Sequence, residues 1–266
     1  MPKIGIVELQ NLEYKMLEAV LAVFAKHSIP YYGIYGTALG AVRHKGSIPW
    51  DCDIDLGIPY TSYTQMLDGL RTELPAPYRV YFHDTDPSYS FLFARVGLEG
   101  MSHGYLHVDL FPLVGAPSEK EKQKAMLAHF NELYRFYPMK KHKPVWAKTR
   151  LRKVIKQAMY DVRQCFYPKS IHAIEREYHS LCTQIPYEKA IFLYIACADE
   201  DERSFVKKQW FGEGIDQQYH ALPLRIPSEY HAYLTHTYGS YMQHPSEEEQ
   251  RKGLSFALEV PNSLLH

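Results

Sequence analysis

The chain has 266 residues, 46% of them hydrophobic, enough for one large domain or two small ones. A formal net charge of +0 leaves no electrostatic footprint for a nucleic-acid partner, and no apolar run approaches the roughly 20 residues that span a bilayer. The first ten residues lack the basic-then-apolar pattern of a secretory signal, and Cys52, Cys165, Cys182 and Cys197 are scattered, which fits a reducing cytoplasm and excludes a disulfide framework or a Cys-x-x-Cys zinc site.

In chain order, Leu9, Leu12, Met16, Leu17, Val20 and Phe24 recur at a helical period and predict a helix over Val7–Lys26. A strand over Tyr31–Tyr35 runs into Gly36-Thr37 and a short helix over Thr37–His44, which Gly46 breaks. Ile48-Pro49 leads into an acidic strand ending near Ile58. A helix over Thr61–Glu73 and strands over Arg79–His83, Phe91–Val96 and Tyr105–Leu110 follow. Helices are predicted over Glu119–Phe136, Trp146–Tyr160 and Lys169–Thr183, a short strand over Ala190–Ala196, and a late helix over Ser228–Tyr238 with Gly239 as its C′ residue. The order implies an α/β (α+β) fold, a mixed sheet flanked by helices. It reads as one unit over 1–266, with a catalytic core in 1–115 and a mainly helical portion in 116–266 that helps complete an acceptor site.

The acidic strand carries the chemistry. On extended backbone Asp51, Asp53 and Asp55 share one face, while Cys52, Ile54 and Leu56 point to the other. Three adjacent carboxylates repel one another and are costly to desolvate, and a hard divalent cation such as Mg²⁺ relieves both penalties. Gly36-Thr37 supplies a strand-to-helix turn at which backbone amides approach an anion, and Arg43 is the expected phosphate contact. Farther on, Asp109 stands alone in an apolar stretch before Pro112 and is expected to bring another metal-binding carboxylate from a neighbouring strand.

These residues resemble a known family. The run Gly36-Thr37-Ala38-Leu39-Gly40-Ala41-Val42-Arg43-His44-Lys45-Gly46, followed by Ile48-Pro49-Trp50-Asp51-Cys52-Asp53-Ile54-Asp55, is similar to the first motif of the LicD family. That family is a branch of the nucleotidyltransferase fold that includes fukutin and fukutin-related protein. Val108-Asp109-Leu110-Phe111-Pro112-Leu113 looks like its second acidic motif. Phe211-Gly212, Ile226-Pro227, Tyr238-Gly239-Ser240-Tyr241-Met242 and Pro245 look like its closing motif.

The resemblance implies a nucleotidyltransferase-like core and an enzyme dependent on Mg²⁺ (or Mn²⁺). Such an enzyme moves phosphocholine or a similar phospho-alcohol from CDP-choline, or a related CDP-alcohol, to a sugar hydroxyl of teichoic acid, lipopolysaccharide or capsule. By position, Asp53, Asp55 and Asp109 match the catalytic and metal-binding carboxylates, Asp51 stands as their helper, and Gly36 and Thr37 match the phosphate-side turn. Cys52 replaces an Asp found in many bacterial members, on the face expected to lie away from the metal. Attack at the other phosphorus (true nucleotidyl transfer) and a non-catalytic glycan- or nucleotide-binding role remain as alternatives. A choline pocket needs an aromatic cage, and the 22 tyrosines single out no candidates.

No acid occurs from Arg135 to Tyr160, a stretch that holds Lys140, Lys141, Lys143, Lys148, Arg150, Arg152, Lys153 and Lys156. Leu151, Val154, Ile155, Ala158 and Met159 give it an apolar stripe. Such a helix either packs its stripe on the core or lies on an anionic surface, the latter placing the enzyme peripherally at the inner face of a membrane, near a lipid-linked acceptor.

Overall fold

In the computed structural model, which describes residues 3–101, 104, 106–141, 152–156, 158, 159, 162, 167–197, 201–254 and 257–259, a short strand, β1 (Lys3–Gly5), leads into α1 (Ile6–His27). Then come β2 (Tyr32–Gly33), α2 (Tyr35–Arg43), β3 (Ile54–Pro59), α3 (Tyr63–Glu73), β4 (Tyr78–Tyr81), β5 (Ala94–Leu98) and β6 (His107–Ala116). The second half contributes α4 (Lys120–Lys141), α5 (Ile171–Thr183), β7 (Phe192–Ile195) and β8 (Phe205–Lys207). It continues with a hairpin of β9 (Ile215–Tyr219) and β10 (Leu222–Ile226), then α6 (Tyr230–Tyr238), α7 (Glu247–Leu254) and β11 (Ala257–Glu259), which pairs with β1.

The main sheet is mixed and runs β2-β3-β6-β5-β4, with β7 and β8 added beside the far end of β6. Among the described residues, only β3 and β6 pair in parallel; β2, β5 and β7 are antiparallel to their neighbours. Every residue of β3, β5 and β6 is buried, so the sheet centre is covered on both faces. Helix α1 lies against β5 and β6 with α3 beside it, while α5 lies on β6 with α4 against it.

The predicted first helix extends over 22 residues because Leu9, Met16, Leu17, Val20 and Phe24 form one buried stripe. It stops at Ser28, whose backbone is left-handed at φ 51°. The predicted late helix likewise ends at Gly239, with φ 68°.

Three boundaries differ from expectation for identifiable reasons. The strand over Tyr31–Tyr35 shrinks to two residues, since Tyr35 already begins α2. The strand expected to stop at Leu110 continues through Pro112 to Ala116, because β6 changes antiparallel partner there: Leu110 faces Ala94 of β5, whereas Leu113 faces Ile195 of β7. Pro112 sits at this change of partner, where its missing N–H breaks no ladder bond, and its carbonyl accepts from Ala196 N–H at 2.9 Å. Finally, the second half is less purely helical than expected, and the sheet crosses the boundary near residue 115, because β7 closes onto β6.

Candidate active site

The acidic run is not one continuous strand. Asp51 N–H donates to Ile48 carbonyl at 2.9 Å, and the Gln10 side-chain amide donates to the carbonyls of Ile48 and Asp51 at 2.8 and 2.7 Å. This turn consumes the local backbone bonds, so regular pairing starts only at Ile54. The expected alternation therefore holds for Ile54, Asp55 and Leu56 but not for Asp51 to Asp53. Convergence is achieved differently: the Asp51 and Asp53 carboxyls lie close enough for the charge of Asp51 to raise Asp53, and the parallel register sets Asp55 directly beside Asp109. Cys52 half-buries against the core, and its thiol is pushed up to about 12 by burial and by the charges of Asp53, Asp51, Glu13 and Asp55. It lies within the field of the acids rather than away from it.

Gly36 and Thr37 occupy the first turn of α2, but their tasks are more specific than a general phosphate turn. The buried Thr37 hydroxyl accepts the Asp55 N–H at 2.8 Å and so ties the helix to the acidic strand. A Cβ on Gly36 would collide with the Asp51 carboxylate, so glycine permits that acid to approach the helix N-terminus. Tyr35 holds a left-handed backbone at φ 45°, and its N–H donates to the Tyr233 hydroxyl of α6 at 3.0 Å. Arg43 closes the helix: its Nη1 donates to the carbonyls of Tyr241 and Gln243 at 2.7 and 3.1 Å. The expected phosphate contact thus also clamps the closing motif.

The acids are starved of positive charge. Burial, then repulsion from Asp51, pushes the Asp53 carboxyl up to about 7. Burial likewise raises Asp51, although hydrogen bonds from Asp53 and the Cys52 N–H pull it back. Asp55 is raised well above the usual carboxylate range by burial and by the charges of Asp53, Asp109 and Asp51. Asp109 behaves oppositely. Burial would raise it, but His107 and Arg95 outweigh burial and hold it below its ordinary value. Arg95 of β5, at the register position of Asp109, donates from Nε at 2.7 Å and from Nη2 at 3.0 Å, while His107 Nε2 lies 3.5 Å away.

A further carboxylate was hidden in the sequence. Glu13 sits on the buried stripe of α1, only 1% exposed. Its carboxyl is raised well above the usual range by burial and by Asp53, Asp51 and Asp109, against a hydrogen bond from the His107 backbone. The available signal was an acid at a stripe position between Leu9 and Met16. Arg95 gave less warning, because nothing in its own strand marks it as the partner of Asp109.

Beside Asp51 opens a cleft of about 460 Å³ whose walls include Gly36, Arg43, Trp50, Tyr238 and His244. The rings of His44, Trp50 and His244 form a cluster with centroid separations of 5.5 to 5.8 Å, and Arg43 lies 6.0 Å over Trp50. The Tyr238 hydroxyl is raised by burial and by nearby groups that include Asp55, Asp51 and Asp53, so the closing motif reaches the acids.

Among the described residues, no three His, Cys, Asp or Glu side chains stand in ready-made coordination. The donor set nonetheless fits a hard divalent cation. It is all oxygen, largely buried, short of neutralising charge, and it includes a Glu13 Oε1 without any hydrogen-bond partner.

Several known proteins are similar to this chain. A sequence model of the LicD/FKTN/FKRP nucleotidyltransferase domain matches residues 28–146, which include every acid of the run as well as Asp109 and Arg95. The lipopolysaccharide cholinephosphotransferase LicD of Haemophilus influenzae is 25% identical over 263 residues, covering 94% of this chain and 96% of that protein. An uncharacterized protein of Rickettsia prowazekii is 44% identical over 45 residues, 17% of each chain. Among solved structures, the antibiotic-resistance factor ANT(2″)-Ia aligns over 64% of this chain and 93% of its own, at 13% identity and a TM-score of 0.28. Residues 28–146 thus match a LicD-type nucleotidyltransferase domain, and nearly the whole chain is similar to a lipopolysaccharide cholinephosphotransferase.

Proposed function

We propose that this protein transfers phosphocholine, or a similar phospho-alcohol, from a CDP-linked donor to a sugar hydroxyl of a cell-surface glycan, with release of CMP. The observation that carries this reading is the juxtaposition of Asp55 and Asp109 on parallel strands, with Asp51 of the same acidic run lining a cleft, in a chain that aligns nearly end to end with a lipopolysaccharide cholinephosphotransferase.

In this reading Asp53, Asp55 and Asp51 would hold Mg²⁺ or Mn²⁺, with Asp109 beside them. When bound there, such a cation would supply the charge that neutralises the donor pyrophosphate and the departing CMP. Arg43 and the first amides of α2 face the phosphates from the cleft wall. The Trp50 cluster offers ring faces to the base or to the quaternary ammonium. The acceptor oxygen bonds to the phosphorus bearing choline as the bond to the CMP phosphate breaks, and the hydroxyl proton passes through a carboxylate to water. Asp109, held ionised by Arg95, suits orientation of the attacking hydroxyl better than proton uptake.

The test is CMP release from CDP-choline, CDP-ribitol and CDP-glycerol, with and without glycan acceptor and divalent cation. Release from one donor that requires both acceptor and cation is expected. Pyrophosphate release, or binding of every donor without turnover, would overturn this reading in favour of nucleotidyl transfer or a non-catalytic role.

A membrane surface is the proposed setting. No helix among the described residues is long and apolar enough to cross a membrane. In the basic stretch, residues 152–156, 158, 159 and 162 are helical. There Val154, Ile155, Met159 and Val162 are all exposed, so their stripe is not packed on the core. At helical spacing these four fall on one side, and Arg152, Lys153 and Lys156 fall on the other. Trp146, Lys143, Lys148, Arg150 and Leu151 lie outside the described residues, while Lys140 and Lys141 donate to the carbonyls of Tyr167 and His83. The reading is a peripheral enzyme at the cytoplasmic face, docked on anionic lipid near a lipid-linked acceptor. Stronger binding to anionic than to neutral vesicles at low salt is expected, and equal partitioning would overturn it.

A further inference from the structure

The sequence pairs the acids of the first motif with Asp109; α1 brings another carboxylate to the same place. Glu13 and Gln10 are three residues apart and therefore adjacent on one helical face. Gln10 fastens the Ile48–Asp51 turn by two hydrogen bonds, at 2.8 and 2.7 Å. Glu13, one turn farther on, meets the same segment. The charges of Asp53, Asp51 and Asp109 all act on its carboxyl. Of its two oxygens, Oε1 is fully buried and has no hydrogen-bond partner.

A buried carboxylate oxygen without a donor costs free energy that a fold does not leave uncompensated. The Glu13 side chain is also the wrong filler for its position if packing alone mattered, since the stripe positions around it carry Leu9, Met16 and Leu17. The charges that act on it are all carboxylates. Tyr219, the buried ring beside it, has its hydroxyl engaged with Ser47 Oγ at 3.0 Å. What Oε1 lacks is a positive centre, and the acids that would share one are already beside it.

We infer that Glu13 Oε1 is a ligand of the divalent cation, so that the metal site is built by α1 together with the acidic run rather than by the sheet acids alone. This rests on the cation-dependent reading above and adds a residue to it. In consequence α1, which lies outside the matched domain of residues 28–146, forms part of the site.

The test separates the two readings. Mn²⁺ binding is measured by electron paramagnetic resonance on the full chain and on Glu13→Gln, Glu13→Asp and Asp53→Asn, with thermal unfolding of each, with and without metal. Glu13→Gln is expected to bind Mn²⁺ at least about tenfold more weakly and to show a smaller metal-induced rise in Tm. The Glu13→Asp protein should fall between the Glu13→Gln and native proteins, and Asp53→Asn should bind weakest. Native affinity in a folded Glu13→Gln overturns this inference while leaving the transfer reading intact if Asp53→Asn still loses metal. Failure of the native chain to bind Mn²⁺ overturns both. Mn²⁺ binding by the native chain without any phosphocholine transfer overturns the transfer reading alone. As a measurement independent of how the variants fold, an anomalous difference map of the Mn²⁺-soaked native protein should place the ion at about 2.0–2.6 Å from Glu13. An ion on Asp53 and Asp55 that does not touch Glu13 overturns the inference.

Discussion

Arg95 grips both oxygens of Asp109 across paired strands, at 2.7 and 3.0 Å, and both side chains are buried. The pair fixes the one acid that enters the cluster already neutralised. Replacing Arg95 with Met leaves a buried, uncompensated carboxylate beside Asp55. A loss of about 3–5 kcal/mol in denaturant unfolding is expected. Combining it with Asp109→Leu should recover most of that stability, because two apolar side chains replace the pair. A fully stable Arg95→Met protein would show that the ion pair does not hold this corner of the sheet.

Gly36 and Asp51 form a second coupled pair. On helix propensity alone, Gly36→Ala should stabilise α2 by about 1 kcal/mol. The added Cβ instead meets the Asp51 carboxylate, which must move. The expected outcome is a drop in turnover of tenfold or more, with the fold intact by circular dichroism. Adding Asp51→Ala should restore stability without restoring turnover. Unchanged kinetics in Gly36→Ala would disprove the coupling.

Stability should depend on pH in two opposed ways. The Asp53 carboxyl is raised to about 7, so between about pH 4 and 7 the folded state binds more protons than the unfolded state, and metal-free stability falls as pH rises through that window. Asp109 is depressed, so its contribution is present above about pH 4 and is lost as pH falls below it. Metal-free protein should therefore be most stable on the acid side of neutrality. Divalent cation, by taking the place of the protons, should move the optimum upward. Asp53→Asn should raise the metal-free Tm near pH 7.5 while abolishing transfer. Urea melts across pH, with and without Mg²⁺, measure all of this; metal-free stability that rises steadily from pH 5 to 8 contradicts it.

The ring cluster at the cleft predicts a binding effect. Trp50→Ala removes the largest ring of the cluster that it forms with His44 and His244. A stacking loss of about 1–3 kcal/mol corresponds to a donor KM raised about tenfold, with kcat changed much less. A fall in kcat at unchanged KM would move Trp50 from binding to positioning of the reacting groups.

Much of the fold could be read from periodicity. The stripe of α1 and the stop at Gly239 follow from local pattern, and the family motif supplied the pairing of the acidic run with Asp109. The misses were of another kind. Asp51 to Asp53 leave the strand because a side chain 41 residues earlier, Gln10, captures the Asp51 carbonyl, a tertiary contact that no local pattern displays. The length of β6 depends on β7, which arrives from residues 192–195. Thr37 carries a phosphate-turn signature, yet its hydroxyl serves Asp55. Glu13 was visible as an acid at a core position, but its meaning depended on which strand the helix would cover.

The change of partner along β6 sets a limit on how this protein can be divided. Its first half carries Asp109 against β5, and its second half is paired by β7, from a part of the chain that looks like an accessory. Cutting near residue 115 would expose a long apolar strand edge and would also remove Tyr233 from Tyr35 and the carbonyls of Tyr241 and Gln243 from Arg43. The segment that holds the acids is thus not a portable module. Changes of acceptor in such a protein are to be sought in loops between the late elements, not in exchange of the whole second half.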